Sequence, residues 1–118
     1  MIRLDGFTKI FIHKASVDFR RSINGLSEIV QSEMQLDPFA QYLFVFGSRD
    51  RRKIKMLYWN RTGFALWMMR LEEAKFPWPR KLEGDVIEIK ARELEWLLDG
   101  YEFWKMKPHQ TLKYSCVA

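Results

Sequence analysis

The chain has 118 residues, of which 47% are hydrophobic and 15% aromatic, and it carries a formal net charge of +5. This length suits one domain, and the composition supplies a packed core and argues against global disorder. No stretch approaches the ~20 apolar residues of a membrane span, and no signal peptide is visible, so we expect no membrane contact. The single cysteine, Cys116, excludes an intrachain disulfide. We therefore expect a cytoplasmic location.

The first third of the chain predicts a strand followed by a helix. Residues 8–13 form a β-prone run. Apolar residues then recur at helical spacing from Leu26 to Met34, and they predict a helix over about residues 22–35. Asp37-Pro38 follows, and a residue before proline avoids helical angles. The helix is therefore expected to end before this pair.

The middle of the chain predicts an antiparallel β-meander, because three runs rich in Phe, Val, Tyr and Trp are separated by short polar breaks. The runs are residues 42–46, 53–59 and 64–71. In the second run, alternation makes Ile54, Met56 and Tyr58 the better core face. The third run is apolar on both faces, which predicts a central strand or one covered by helices.

The last third predicts an irregular segment, a strand, a helix and a tail. Phe76-Pro77-Trp78-Pro79 interrupts regular structure, because proline cannot donate to a strand ladder. Residues 86–89 predict a strand, and residues 90–98 predict a helix ended by Gly100. We expect one α+β domain over residues 1–104, with an antiparallel sheet built on the meander and about two helices packed on it, and a basic, flexible tail over residues 105–118.

Positive charge is concentrated in residues 49–55, which hold five basic residues and one acidic residue. Such a concentration attracts polyanions, but a solvated loop that protects a sheet edge explains the same residues equally well. The candidate phosphate contacts are Arg49, Arg51, Arg52, Lys53 and Lys55, with Arg20, Arg21, Arg61 and Arg70 as extensions. Trp59 shares a strand face with two of these lysines and is the one aromatic candidate for stacking on a base, although a core position is its simpler interpretation.

The residues needed for catalysis do not converge in the sequence. His13 and His109 are far apart and lack a metal-ligand spacing, and the glycines do not cluster into a phosphate-binding loop. Glu72 and Glu73 are adjacent, so on a strand they point to opposite faces. We therefore expect no enzyme activity, no metal and no cofactor.

Several short segments follow one another in an order and spacing that resemble a known family. They are Asp18-Phe19-Arg20-Arg21, Ile23-Asn24-Gly25-Leu26, Asp37-Pro38-Phe39, Leu43-Phe44-Val45-Phe46, Lys55-Met56-Leu57-Tyr58-Trp59, Gly63-Phe64-Ala65-Leu66-Trp67, Arg70-Leu71-Glu72, Phe76-Pro77-Trp78-Pro79 and Leu97-Leu98-Asp99-Gly100 followed by Tyr101. The chain resembles the TnpB accessory protein, the second reading frame product, of insertion sequences of family sixty-six. It departs from the usual pattern at Asn60 and at Ala74-Lys75.

The resemblance implies a protein that assists transposition beside a separate transposase and has no established catalytic residues. The expected partners are DNA, in particular the ends of the insertion sequence, and the transposase of the same element. Our leading hypothesis is DNA binding through the basic loop. The alternative is a protein-interaction module that docks on the transposase without touching DNA.

Overall fold

The computed structural model describes residues 3–106. The described chain contains five strands and two helices, which confirms the α+β class. In order they are β1 (Lys9–His13), α1 (Ile23–Ser32), β2 (Tyr42–Gly47), β3 (Lys53–Asn60), β4 (Gly63–Arg70), β5 (Val86–Ile89) and α2 (Ala91–Leu98). Short 3-10 helices at Leu4–Gly6 and Phe103–Lys105 flank them.

The strands form one sheet in the order β4-β3-β2-β1-β5. The predicted meander is present, since β3 pairs antiparallel with both β2 and β4. β5 also pairs antiparallel with β1, but β1 and β2 are parallel. Parallel neighbours need a crossover, and α1 supplies it between these two strands. The sheet is therefore mixed, which corrects the expectation of a wholly antiparallel one.

Both faces of the sheet are covered, so the central strands are apolar on both sides. On one face, α1 packs Leu26, Ile29 and Val30 against the sheet. On the other face, α2 and the segment after β4 cover a second cluster. The prediction of a single core face for β3 is thus half correct, because Leu57 on the opposite face is fully buried as well.

β4 lies at an edge of the sheet, so the first of the two predicted alternatives, a central strand, is wrong. The second, cover by helices, holds on one face, where Phe64 and Leu66 pack against the core cluster that contains the α1 residues. Its side chains are mostly half-buried, and Met68 is 54% exposed. The two-sided apolar pattern arises because each face of β4 borders the margin of a different core cluster.

The helix ends have local causes. α1 ends at Ser32, three residues before the predicted end. Gln35, three residues further on, adopts a left-handed φ of 54°, which is incompatible with a right-handed α-helix. α2 matches its prediction to within one residue, and Gly100 follows it with a φ of 95°. The predicted flexible tail lies outside the described residues from residue 107 onward, as do His109 and Cys116.

Candidate nucleic-acid interface

The loop between β2 and β3 is built around Ser48. Its backbone N–H donates to the Lys53 carbonyl at 3.0 Å, and its hydroxyl accepts from the Lys53 N–H at 3.0 Å. The same hydroxyl donates to the Asp50 carboxylate at 2.6 Å. This carboxylate also accepts a hydrogen bond from the Arg52 N–H at 3.0 Å. The hydroxyl bond, followed by the backbone bond, holds the pKa of Asp50 below its usual value. Asp50 therefore fastens the turn as a carboxylate.

The backbone of the loop is also fastened to the chain that follows β4. The Arg51 carbonyl accepts the N–H of Phe76 at 2.7 Å, and the Arg52 carbonyl accepts the N–H of Leu71 at 2.8 Å. Arg51 itself adopts a left-handed φ of 61°. These bonds set the backbone of the loop in advance, so its arginine side chains project from a fixed support.

Two arginines of this loop join basic side chains from other parts of the chain around a surface cavity of about 320 Å³. Four basic residues line the cavity against one acidic residue, Asp85. Lys81 lines an adjoining cavity with two of the same arginines. We call this group the basic face; it consists of Lys14, Arg49, Arg51, Arg80 and Lys81.

Trp78 lines this cavity and positions two of its basic residues, Lys14 and Arg80. Its indole N–H donates to the Lys14 carbonyl at 2.7 Å. Its ring lies so close to Gly47 that a Cβ there would sit 2.9 Å from two ring carbons. The Phe76-Pro77-Trp78-Pro79 segment thereby places Arg80 beside the loop between β2 and β3. The sequence analysis did not predict Lys14, Arg80 or Lys81 as site residues. Arg80 and Lys81, an adjacent basic pair directly after Trp78-Pro79, could have been recognised as a second concentration of positive charge.

A second cavity beside the basic face contains charges of both signs. Arg49 and Lys53 line it together with Asp18 and Asp50. Arg20 binds Asp18 with a shortest N–O distance of 2.7 Å. The Arg20 side-chain hydrogen bonds, followed by its backbone hydrogen bond, lower the pKa of Asp18 to about 2. Asp18 therefore stays ionised and offsets much of the charge of Arg20, while the neighbouring Arg21 is exposed.

Arg52 and Arg70 lie at the same end of the sheet. Arg70 is the direct cross-strand partner of Lys53, but its guanidinium binds the Glu72 carboxylate at 2.9 Å. Arg52 is exposed and reaches the Glu72 carbonyl at 3.4 Å. These residues can extend the basic face, with part of the charge of Arg70 already balanced.

Lys55 requires a correction, because its side chain is buried rather than available for a phosphate. Its ammonium group donates to the Phe19 carbonyl at 2.7 Å and to the Arg21 carbonyl at 3.4 Å. It also lies 4.9 Å from the centre of the Phe19 ring. Burial lowers the pKa of Lys55. Lys55 holds the segment before α1 on the sheet.

Trp59 and Arg61 lie at the opposite end of β3, so they do not join the basic face. Lys53 and Trp59 are six residues apart, or about 20 Å at ~3.4 Å per strand residue. Trp59 is half-buried and packs edge to face against Phe39 and Phe64, with ring centres 4.9 and 5.0 Å away. Arg61 occupies the turn between β3 and β4.

Within residues 3–106, no group of three or more His, Cys, Asp and Glu side chains could hold a metal ion. His13 is buried, with Nδ1 2.8 Å from the Ala15 carbonyl and Nε2 3.4 Å from the Glu33 carboxylate. None of the helices in this part of the chain is long and apolar enough to cross a membrane.

Comparison with known proteins decides the family. A family model described as IS66 Orf2 like protein matches residues 8–108. The chain belongs to this family. The IS66 Orf2 like family comprises accessory proteins of insertion sequences, so the resemblance drawn from the sequence segments is confirmed, and the chain is an insertion-sequence-associated accessory protein.

Two curated relatives come from Sinorhizobium fredii. They are the uncharacterized proteins y4jC and y4hO, which are 30% and 31% identical to the chain over 110 residues and align over 93% of each sequence. No solved structure matches the chain.

Proposed function

We propose that this accessory protein assists transposition by binding DNA through the basic face. The observation that carries the proposal is the cavity that Arg49, Arg51 and Arg80 line against one carboxylate, together with Lys14, whose ammonium also donates to the Leu82 carbonyl at 2.8 Å. These residues come from three separate parts of the chain. Arginine side chains on a fixed support suit phosphate oxygens, because less side-chain and loop entropy is lost on binding.

The contacts expected at this face are with the DNA backbone. Trp78 is buried with its ring against Gly47, so it offers no open ring face to a base. Trp59, the aromatic residue predicted to stack, lies at the far end of the sheet. Phosphate contacts position a protein on DNA and carry little sequence information. We therefore expect substantial affinity with weak sequence preference, and recognition of the element ends would then depend on the transposase.

The affinity of the full chain for duplex DNA tests this proposal. Fluorescence anisotropy in about 50 mM salt should show binding, and replacing Arg49 and Arg80 together by Ala should weaken it about ten- to a hundredfold, since two charge-assisted contacts are lost. A matched control replaces Lys9 and Arg92, which lie toward the other end of the sheet, and should change the affinity less than threefold. Absence of binding, or equal losses in both double variants, would contradict the proposal.

A second candidate function is docking on the transposase without direct DNA contact. It is favoured by an aromatic cluster remote from the basic face, in which Phe39 is 54% exposed and packs on Trp59 and Phe64. A pull-down of the transposase in the presence of nuclease separates the two candidates. A complex that survives nuclease and is lost on Phe39→Ser supports docking, whereas a complex lost with the DNA supports the first proposal.

A further inference from the structure

Within residues 3–106, β4 is an edge strand that no other strand covers. It is eight residues long, contains no proline, and carries a single charge, Arg70, at its last position. Its register with β3 is continuous from Asn60–Gly63 to Lys53–Arg70, so no bulge twists it away from a partner. Natural sheets usually protect their edges by charge, proline, bulges or shortness. The opposite edge, β5, follows this rule, with four residues and an exposed Glu88 that approaches Lys9 to 3.9 Å.

The backbone groups that β4 presents outward can be assigned. The N–H of Leu71 donates to the carbonyl of Arg52, which marks this position as a hydrogen-bonded pair. Such pairs alternate along an antiparallel ladder, so the odd-numbered residues of β4 bond to β3. The N–H and C=O groups of the even-numbered residues therefore face away from the sheet. These residues are Phe64, Leu66, Met68 and Arg70.

We propose that β4 pairs antiparallel with β4 of a second copy of this chain, which joins two five-stranded sheets into one ten-stranded sheet. The symmetric register that pairs all four outward residues places Trp67 on the two-fold axis. Met68 then lies opposite Leu66 of the partner subunit, and Arg70 lies opposite Phe64 of the partner subunit. Four residue pairs exchange backbone hydrogen bonds in this arrangement.

The side chains of β4 complement one another in this register. The half-exposed Met68 is covered by a leucine, and the two copies of Trp67 form a cross-strand aromatic pair. Arg70 lies opposite an aromatic residue, within reach of a cation–π contact. Arg61, two residues before β4, and Glu73 of the partner subunit, three residues after that strand, come to the same end of the paired strands, and both side chains are exposed in the single chain. These apolar and charge matches favour a second copy as the occupant of the edge.

A proline substitution isolates the proposed interface. Met68→Pro removes an outward N–H and no bond to β3, so the fold is retained while pairing is blocked. Met68→Thr is the matched control, because it shortens and polarises the same side chain but keeps the N–H. In sedimentation velocity experiments, the wild type and Met68→Thr should form dimers of the 14.3 kDa chain at micromolar concentration, and Met68→Pro should remain a folded monomer by circular dichroism.

A charge reversal provides a second test that does not depend on the proline variant folding. Glu73→Arg places like charges together twice per dimer and should weaken the dimer roughly two- to thirtyfold, as expected for two cross-strand ion pairs. Adding Arg61→Glu should restore the affinity. The proposal is overturned if the wild type is monomeric throughout the micromolar range or if Met68→Pro dimerises as strongly as Met68→Thr. It is also overturned if the edge variants abolish only transposase binding, which would make the transposase the occupant.

Discussion

Replacing Lys55 by Met distinguishes a structural lysine from a DNA-binding one. The substitution keeps most of the aliphatic length and removes the ammonium group that donates to the carbonyls of Phe19 and Arg21. The basic face contains no atom of this side chain. We therefore expect a loss of stability and a DNA affinity within about twofold of the wild type.

The magnitude follows from the contacts. A hydrogen bond from a charged donor contributes about 1.5–3 kcal/mol, and a cation–π contact such as that with Phe19 contributes about 0.5–2 kcal/mol. Removing a buried charge also relieves its desolvation cost, which offsets part of this loss. We expect the free energy of unfolding to fall by about 2 kcal/mol. For a domain of this size that lowers Tm by about 6–12 °C.

Thermal denaturation and anisotropy titration of the same preparations measure both effects. Lys53→Met is the control, because Lys53 lies on the same strand but lines an open cavity beside Arg49. We expect the reverse pattern there, with near-wild-type stability and weaker DNA binding. A Lys55→Met protein that keeps its Tm but loses DNA affinity as Lys53→Met does would refute the assignment.

Three further predictions concern the cavity wall, the acid limb and the edge strand. Gly47→Ala should destabilise the protein by about 1–3 kcal/mol and alter the fluorescence of Trp78, which must move, whereas Gly63→Ala, with open space around its Cβ, should be nearly neutral in thermal denaturation. Asp18 has a lowered pKa of about 2 in the folded chain, so its contribution to stability is present above about pH 4 and lost as the pH falls toward 2. Asp18→Asn should therefore flatten that part of the pH–stability curve. Because Asp18→Asn frees Arg20, it should also strengthen DNA binding about three- to tenfold. If both proposals hold, the dimer carries its two basic faces at opposite ends and can bind two duplexes at once. Wild-type protein should therefore retain a labelled duplex on beads that carry a second duplex, and Met68→Pro should not.

Local patterns were sufficient to predict most elements of the fold. The strands β2, β3, β4 and β5 and the helix α2 are each visible as a run of residues with strand or helix periodicity, and β2, β3 and β4 also pair with their neighbours in the sequence. The parallel pairing of β1 with β2 does not follow from such runs, because it depends on how α1 crosses the sheet. The edge position of β4 was missed for a related reason: half-burial against two core margins gives the same apolar pattern as full burial.

The candidate site was predictable only in part. The loop from Arg49 to Arg52 was identified from its charge density, which is a property of adjacent residues. Lys14 and Arg80 reach the same cavity through tertiary packing against Trp78, so spacing in the sequence does not relate them to the loop. Lys55 was assigned by strand alternation to an exposed face that α1 and the segment before it cover.

The salt dependence of DNA binding tests the basic face most directly. Each phosphate contact contributes about 0.9 to the slope of the logarithm of the binding constant against the logarithm of the salt concentration. Wild-type protein should therefore bind duplex DNA with a steep slope, and the Arg49→Ala, Arg80→Ala double variant should have a slope about 1.8 shallower. The Lys9→Ala, Arg92→Ala control should keep the wild-type slope. A salt-independent affinity, or the same change of slope in both double variants, would contradict the assignment of DNA binding to the basic face.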